Sequence, residues 1–198
     1  MKIVESAQQC NPEQISRSMS SIGDQLRDNI RLAAVTGDSF DSVERMTLNS
    51  VLQIGARAME LLLALQGDGN LGEEIPTDDG RIARRTEARS TTKLRSIFGQ
   101  HAFEQFTCSA GKNKPISLRP ISARLSLPES RWSYLLQEFS QMPGVDQAWD
   151  QAMKNLGTIL DSNFSVDTAE RINGNMGRRA GEFLSDLPMP EEGSEANP

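Results

Sequence analysis

Apolar residues recur along the first third of the chain at helical intervals. Ile15, Met19, Ile22, Leu26, Ile30 and Ala33 follow one another at steps of three or four, which places them in one narrow stripe of a helix running from Asn11 to about Ala34. Asn11 can cap this helix, Pro12 fits its first position and Gln14 stands where a capping box places its second partner. After TGDSF, Asp41 and Glu44 repeat the capping arrangement. A second stripe then runs through Val43, Met46, Val51, Ile54, Ala58, Leu61, Leu62 and Leu65 until the glycines of GDGNLG end it. Two amphipathic helices joined by a short loop predict an antiparallel hairpin. Its stripes must bury either against the rest of the chain or against a second copy.

Between Gly67 and Leu127 the period changes. TDDGR at 77–81 is a turn signal, and KLRSIFGQHAFEQFTC alternates well enough to predict two strands reversing at Gly99-Gln100. In this reading Leu94, Ser96 and Phe98 share a parity with Ala102, Glu104 and Phe106, while Ile97, Phe103 and Gln105 take the other. AGKNKP at 110–115 reads as a loop, followed by a short extended piece ending at Pro128.

Helical spacing returns from Pro128. Pro128-Glu129 opens a helix carrying Trp132, Leu135, Leu136 and Phe139, which MPG at 142–144 breaks. Val145, Ala148, Trp149, Ala152, Met153, Leu156 and Ile159 mark the next helix. Past DSNF, Ser165 caps a third, whose apolar positions are Val166, Ala169, Ile172, Met176, Ala180 and Phe183. Asn173-Gly174 would mark a turn elsewhere, but the stripe continues through it and predicts an unbroken helix. The proline-rich, acidic end, LPMPEEGSEANP, has no period and reads as a disordered tail.

The resulting fold class is mainly α with a small antiparallel β segment (α+β). Four stretches follow: a helical hairpin over 1–67, a basic β segment over 68–127, a helix-turn-helix-like three-helix domain over 128–185 and an acidic tail over 186–198. Hydrophobic residues make up 37% of the 198 and aromatics 5%, low for a compact enzyme and consistent with parts that depend on a partner.

Charge sharpens the picture through its distribution rather than its sum. The net charge is -6, yet Arg81 to Arg131 holds eleven Lys and Arg against three Glu, a local +8, and the remainder holds ten basic and 24 acidic residues, or -14. Binding fields are local, so a basic middle can meet phosphates, or acidic helices of the same chain can neutralise it. Cys10 and Cys108, with the single His101, form neither a disulfide framework nor a metal knuckle, and no cofactor is expected. No apolar stretch approaches the roughly 18 residues that a membrane span requires, and MKIVESAQQCNPEQ lacks an apolar signal core. The chain reads as cytoplasmic, and as nucleoid-associated in a bacterium if it binds DNA.

No catalytic constellation is visible. The chain has no Gly-rich phosphate loop and no HExxH; Cys108 and His101 on a hairpin read as structural, and Glu73-Glu74 and Asp78-Asp79 as solvated turn residues. The third C-terminal helix offers more. Arg171, Asn175, Arg178 and Arg179 lie off its apolar stripe, and Asn and Arg can read adenine and guanine edges bidentately in a major groove. The plainer alternative is a solvated polar face; Gly174, Gly177 and Gly181 count against a rigid reading helix, although they could permit close helix–helix approach. RIARRTEARSTTKLR, residues 81–95, offers Arg84, Arg85, Lys93 and Arg95 for a phosphate backbone, or as charges guarding an edge strand.

In order, GDGNLG, DDGRIARR, RSIFGQHAFEQFTC, SLRPISARLSLPESRWSYLLQEF, VDQAWDQAMKNLGTIL, SVDTAERINGNMGRRAGEF and PMPEEG resemble the N-terminal region of the ISKra-type insertion-sequence transposases, whose nuclease core is of the DDE class. The resemblance covers about residues 65–193, with RSIFGQ, ARLSLPESRWSYLLQ and SVDTAERIN its most specific parts. It implies a region that engages transposon-end double-stranded DNA and precedes the catalytic domain. In that family a strand in an ADGKG-like context, bearing the first catalytic aspartate, should follow the EEG, whereas here SEANP follows. The resemblance therefore implies no nuclease activity in this polypeptide: it would be a truncated transposase, a regulator, or the partner of a separately encoded catalytic half. The alternative is an assembly protein that forms a homodimer through its N-terminal helices and does not bind DNA.

Overall fold

The two N-terminal stripes become two long helices, α1 (Pro12–Thr36) and α2 (Phe40–Ala64). The computed structural model describes residues 11–76, 80, 82–109, 116–141, 148–160 and 165–186. Expectations placed on Cys10, on 77–79 and 81 of the TDDGR turn, on the 110–115 loop, on MPG, on DSNF and on the tail beyond Asp186 lie outside those residues.

Asn11 caps α1 as its sequence predicts, its side-chain oxygen accepting from the Glu13 amide at 3.0 Å. Gly37, at φ 75°, closes the other end by donating its amide to the Ala33 carbonyl, a left-handed turn that glycine adopts without strain. The cap of α2 lies two residues earlier than the Asp41 reading. Ser39 Oγ accepts from the Ser42 amide at 3.2 Å, and Asp41 instead pairs with Arg45 at 3.0 Å.

The helices pack on each other, and α2 also lies against the β region. Leu63 joins Phe103 and Ile121 in a buried cluster flanked by Leu125 and Leu127, where each fully buried side chain of this size contributes roughly 1.5–3 kcal/mol.

Two antiparallel sheets follow. The strands β1 (Glu74–Pro76), β2 (Ile82–Arg85), β5 (Cys108–Ser109) and β6 (Ile116–Leu118) form one in that spatial order. A hairpin of β3 (Ser90–Ser96) and β4 (Gly99–Gln105), interposed in sequence between β2 and β5, forms the other.

The hairpin turns at Ile97-Phe98, with Ser96 opposite Gly99, rather than at Gly99-Gln100. Gly99 sits at φ 125°, which favours glycine just past such a turn. The two-residue turn pairs even positions of β3 with odd positions of β4. Leu94 and Ser96 therefore share the inner face with His101, Phe103 and Gln105, and not with Ala102, Glu104 and Phe106.

Two further segments depart from expectation. A short helix, α3 (Pro120–Arg124), interrupts the piece read as extended. Its cap comes from across the fold: Gln105 Oε1 accepts from the Ile121 and Ser122 amides at 3.0 and 3.4 Å. The next helix, α4 (Tyr134–Gln141), starts at Tyr134 and not at Pro128. The Arg95 amide donates to the Arg131 carbonyl, the Ser133 amide donates to the Arg95 carbonyl, and Trp132 bridges β3 in parallel register. Those bonds hold 131–133 extended, and Ser133 Oγ then accepts from the Leu136 amide at the start of α4.

The chain divides into two compact units, 1–136 and 137–198. In the second, α5 (Trp149–Ile159) packs on α6 (Val166–Asp186), and Ala152, Met153, Leu156, Ala169 and Ile172 are buried. α6 runs without a break through Asn173-Gly174. The described residues thus bear out a mainly helical fold with small antiparallel sheets.

Candidate nucleic-acid interface

The +8 block is divided between neutralised and open cations. Arg84 pairs across the β1–β2 ladder with Glu74 at 3.0 Å, and Arg89 pairs with Asp68 at 3.1 Å. Arg85 stacks over the Phe106 ring with its guanidinium carbon 4.4 Å from the centroid, and Arg89 approaches the same ring at 5.2 Å. Such stacking holds a guanidinium in place while leaving it charged. Arg95 is half-buried, and burial pushes its pKa below the usual arginine value. Lys93, Arg119, Arg124 and Arg131 are exposed and, among the described residues, pair with no carboxylate.

Three of those open cations meet at one cleft of about 670 Å³ within the first unit. β3 supplies Lys93, the entry to α3 supplies Arg119, and the segment returning to β3 supplies Arg131. Among the described residues of the lining, Glu129 is the only carboxylate and none is aromatic. Of the four cations that sequence assigned to phosphate contact, Lys93 alone lines this cleft. Arg119 and Arg131 belong to the basic block, and the local sequence signal for the first is Arg119-Pro120, a helix entry embedded in SLRPISAR.

On α6, Ala169 and Ile172 are buried, whereas Arg171, Asn175 and Arg178 are exposed. Arg178 donates to the Asn175 side-chain oxygen, so the two present one joint polar surface. The Arg179 side chain lies outside the described residues. Asp167 and Glu170 precede these cations and Asp186 follows them, so the positive field is confined to the middle turns. Among the described residues, a Cβ at Gly174, Gly177 or Gly181 would meet nothing within 4 Å, and no helix of the described residues approaches closely at these glycines.

His101 and Cys108 are both buried. His101 Nε2 lies 2.8 Å from Ser96 Oγ, and burial pushes the histidine pKa down, partly offset by the charge of Glu60. Burial also raises the Cys108 pKa against the opposing charge of Arg85, and Cys108 lies on β5, in the other sheet from His101. Among the described residues no group of three or more His, Cys, Asp or Glu could hold a metal ion, and no helix is long and apolar enough to cross a membrane.

No protein-family model matches the chain, and no curated protein or solved structure is significantly similar to it.

Proposed function

We propose that this chain is a non-catalytic DNA-binding protein of transposase type that recognises duplex DNA of the transposon-end kind. One observation carries the reading. α6 is a continuous helix whose Arg171, Asn175 and Arg178 are exposed while Ala169 and Ile172 anchor it, the division of labour that a helix placed in a major groove requires. Arg179 belongs to the same cationic turns by sequence. The open cations of the first unit add salt-dependent attraction that does not depend on base sequence. The resemblance to the N-terminal region of ISKra-type transposases supports the transposon-end assignment.

The test is selection of preferred sites from a random duplex pool, followed by anisotropy titration of the enriched duplex. Replacing Arg171 and Arg178 by alanine should cost about 1–3 kcal/mol for each lost base contact and flatten the salt dependence. No enrichment over the random pool, or unchanged binding by the double variant, sinks the reading.

A second reading, assembly through the N-terminal helices, draws on one feature. Leu32, Val35 and Phe40, near the α1–α2 connection, are 60, 86 and 82% exposed, large apolar groups of the kind that association surfaces use. A dimer in light scattering that Val35→Glu and Phe40→Glu convert to monomer, with no retention on duplex DNA, would favour it.

A further inference from the structure

The cleft between β3, α3 and the 126–131 segment is built on a cross-linked frame. Gln105, fully buried, donates its side-chain amide to Thr92 Oγ1 at 2.9 Å and to Ser122 Oγ at 2.8 Å. Its oxygen meanwhile accepts from the two α3 amides. One side chain thus fastens the β3 wall to the α3 wall. The third wall is fastened to β3 by the backbone bonds between Arg95 and residues 131 and 133. Each wall contributes one cation, Lys93, Arg119 or Arg131, and serines and threonines also line the cleft.

This inventory selects its ligand. Among the described residues of the lining, three cations against a single carboxylate favour an anion, and hydroxyls can donate to phosphate oxygens as readily as to carbonyls. A volume of about 670 Å³ exceeds what one phosphate fills and falls in the range, roughly 300–1,000 Å³, of sites that hold extended ligands. Recognition of splayed single-stranded bases relies on aromatic stacking platforms, and the described residues of the lining include none. The cations and hydroxyls favour contact with successive phosphates.

We infer that this cleft is a clamp for the phosphate backbone of duplex DNA, independent of base sequence, in which Lys93, Arg119 and Arg131 are the phosphate contacts. The inference rests on the DNA-binding reading above and adds a second contact to it, separate from α6. The clamp sets affinity and its salt dependence; α6 sets which sequence is preferred.

The experiment uses the full chain and a labelled random-sequence duplex, titrated by anisotropy across a salt series. The cleft variant carries Lys93→Gln, Arg119→Gln and Arg131→Gln. A control carrying Arg17→Gln, Arg27→Gln and Arg45→Gln on α1 and α2 matches its loss of charge. Each lost phosphate contact reduces the slope of log K against log salt by about 0.9. The cleft variant should therefore lose between two and three units of slope and at least ten-fold in affinity at moderate salt, while the control changes neither. The single variants Lys93→Gln and Arg119→Gln, each shedding about one unit, carry the test should the triple variant fold poorly. Sodium tripolyphosphate, titrated alone by calorimetry, separates the two sources of adjacent phosphates. If it binds tightly and the cleft variant loses that binding while holding DNA as the unaltered protein does, the cleft takes a small polyphosphate and the clamp is overturned. Equal DNA binding by cleft variant and unaltered protein, without tripolyphosphate binding, overturns the clamp and leaves the α6 reading standing. No DNA binding by the unaltered protein overturns both.

Discussion

Gln105 and His101 occupy inward positions of one strand, on either side of Phe103, and show how differently a buried polar side chain can be used. Gln105 makes four hydrogen bonds and through them sets where α3 begins. His101 has one to Ser96, and its Nδ1 is a buried atom without a partner among the described residues. Alternation along β4 was legible in sequence, and Gln105 fell correctly on the parity of Phe103. That this parity faces inward was not legible, because it depends on α2 and α3 arriving from elsewhere in the chain. His101 carries a pH prediction. Its folded-state pKa lies below the ordinary 6.5 because burial disfavours the charged ring, so the unfolded chain takes up the proton first. Stability is therefore complete above about pH 6.5 and declines as pH falls from there through the folded-state value. Thermal melts between pH 7.5 and 5 should show this decline in the natural chain and a shallower one in His101→Gln; identical pH profiles would refute the assignment to His101.

Elements were legible where their period is internal and opaque where a distant partner decides. α1, α2, α5 and α6 followed from three-and-four spacing, with caps marking the starts of α1 and α2, whereas α3 and the extended 131–133 segment are held by bonds to Gln105 and Arg95. Helical glycines divide along the same line. Gly55 in α2 lies where any Cβ would overlap the Phe98 ring, so it admits the tip of the β3–β4 hairpin against the helix. Gly55→Ala should destabilise the protein by about 1–3 kcal/mol in urea unfolding, since overpacking outweighs the helix preference of alanine. In α6 the opposite holds: among the described residues, Gly174→Ala, Gly177→Ala and Gly181→Ala meet no neighbouring atom. Each should stabilise that helix by up to about 1 kcal/mol, visible as increased helical signal near the melting point. A loss of helix in the α6 alanine variants would indicate that these glycines serve a contact outside this chain.

Across the whole molecule, the formal charge of -6 conceals cations that the fold leaves open at one cleft and on one helix. This predicts that the chain, though acidic, is retained on a heparin column at moderate salt and that the Lys93, Arg119 and Arg131 triple variant elutes earlier; flow-through of the unaltered protein would place the assembly reading ahead. Sequence revealed that a basic block exists, but not which cations ion pairs remove, because Asp68 and Glu74 reach Arg89 and Arg84 only through the tertiary arrangement. The bridge between Arg95 and Trp132 also bears on how the molecule assembles in time. The β3–β4 hairpin needs only a two-residue turn to form, whereas the bridge must close the whole stretch from 96 to 131, and distant closures of that kind come late because their entropy is lost before their contacts are gained. A chain that has collapsed but not completed that closure would carry Lys93 without Arg131 beside it. If the cleft is the proposed clamp, its affinity is reserved for molecules that have finished folding, and a nascent or partly unfolded chain would hold only a fraction of the attraction for phosphate that its composition suggests.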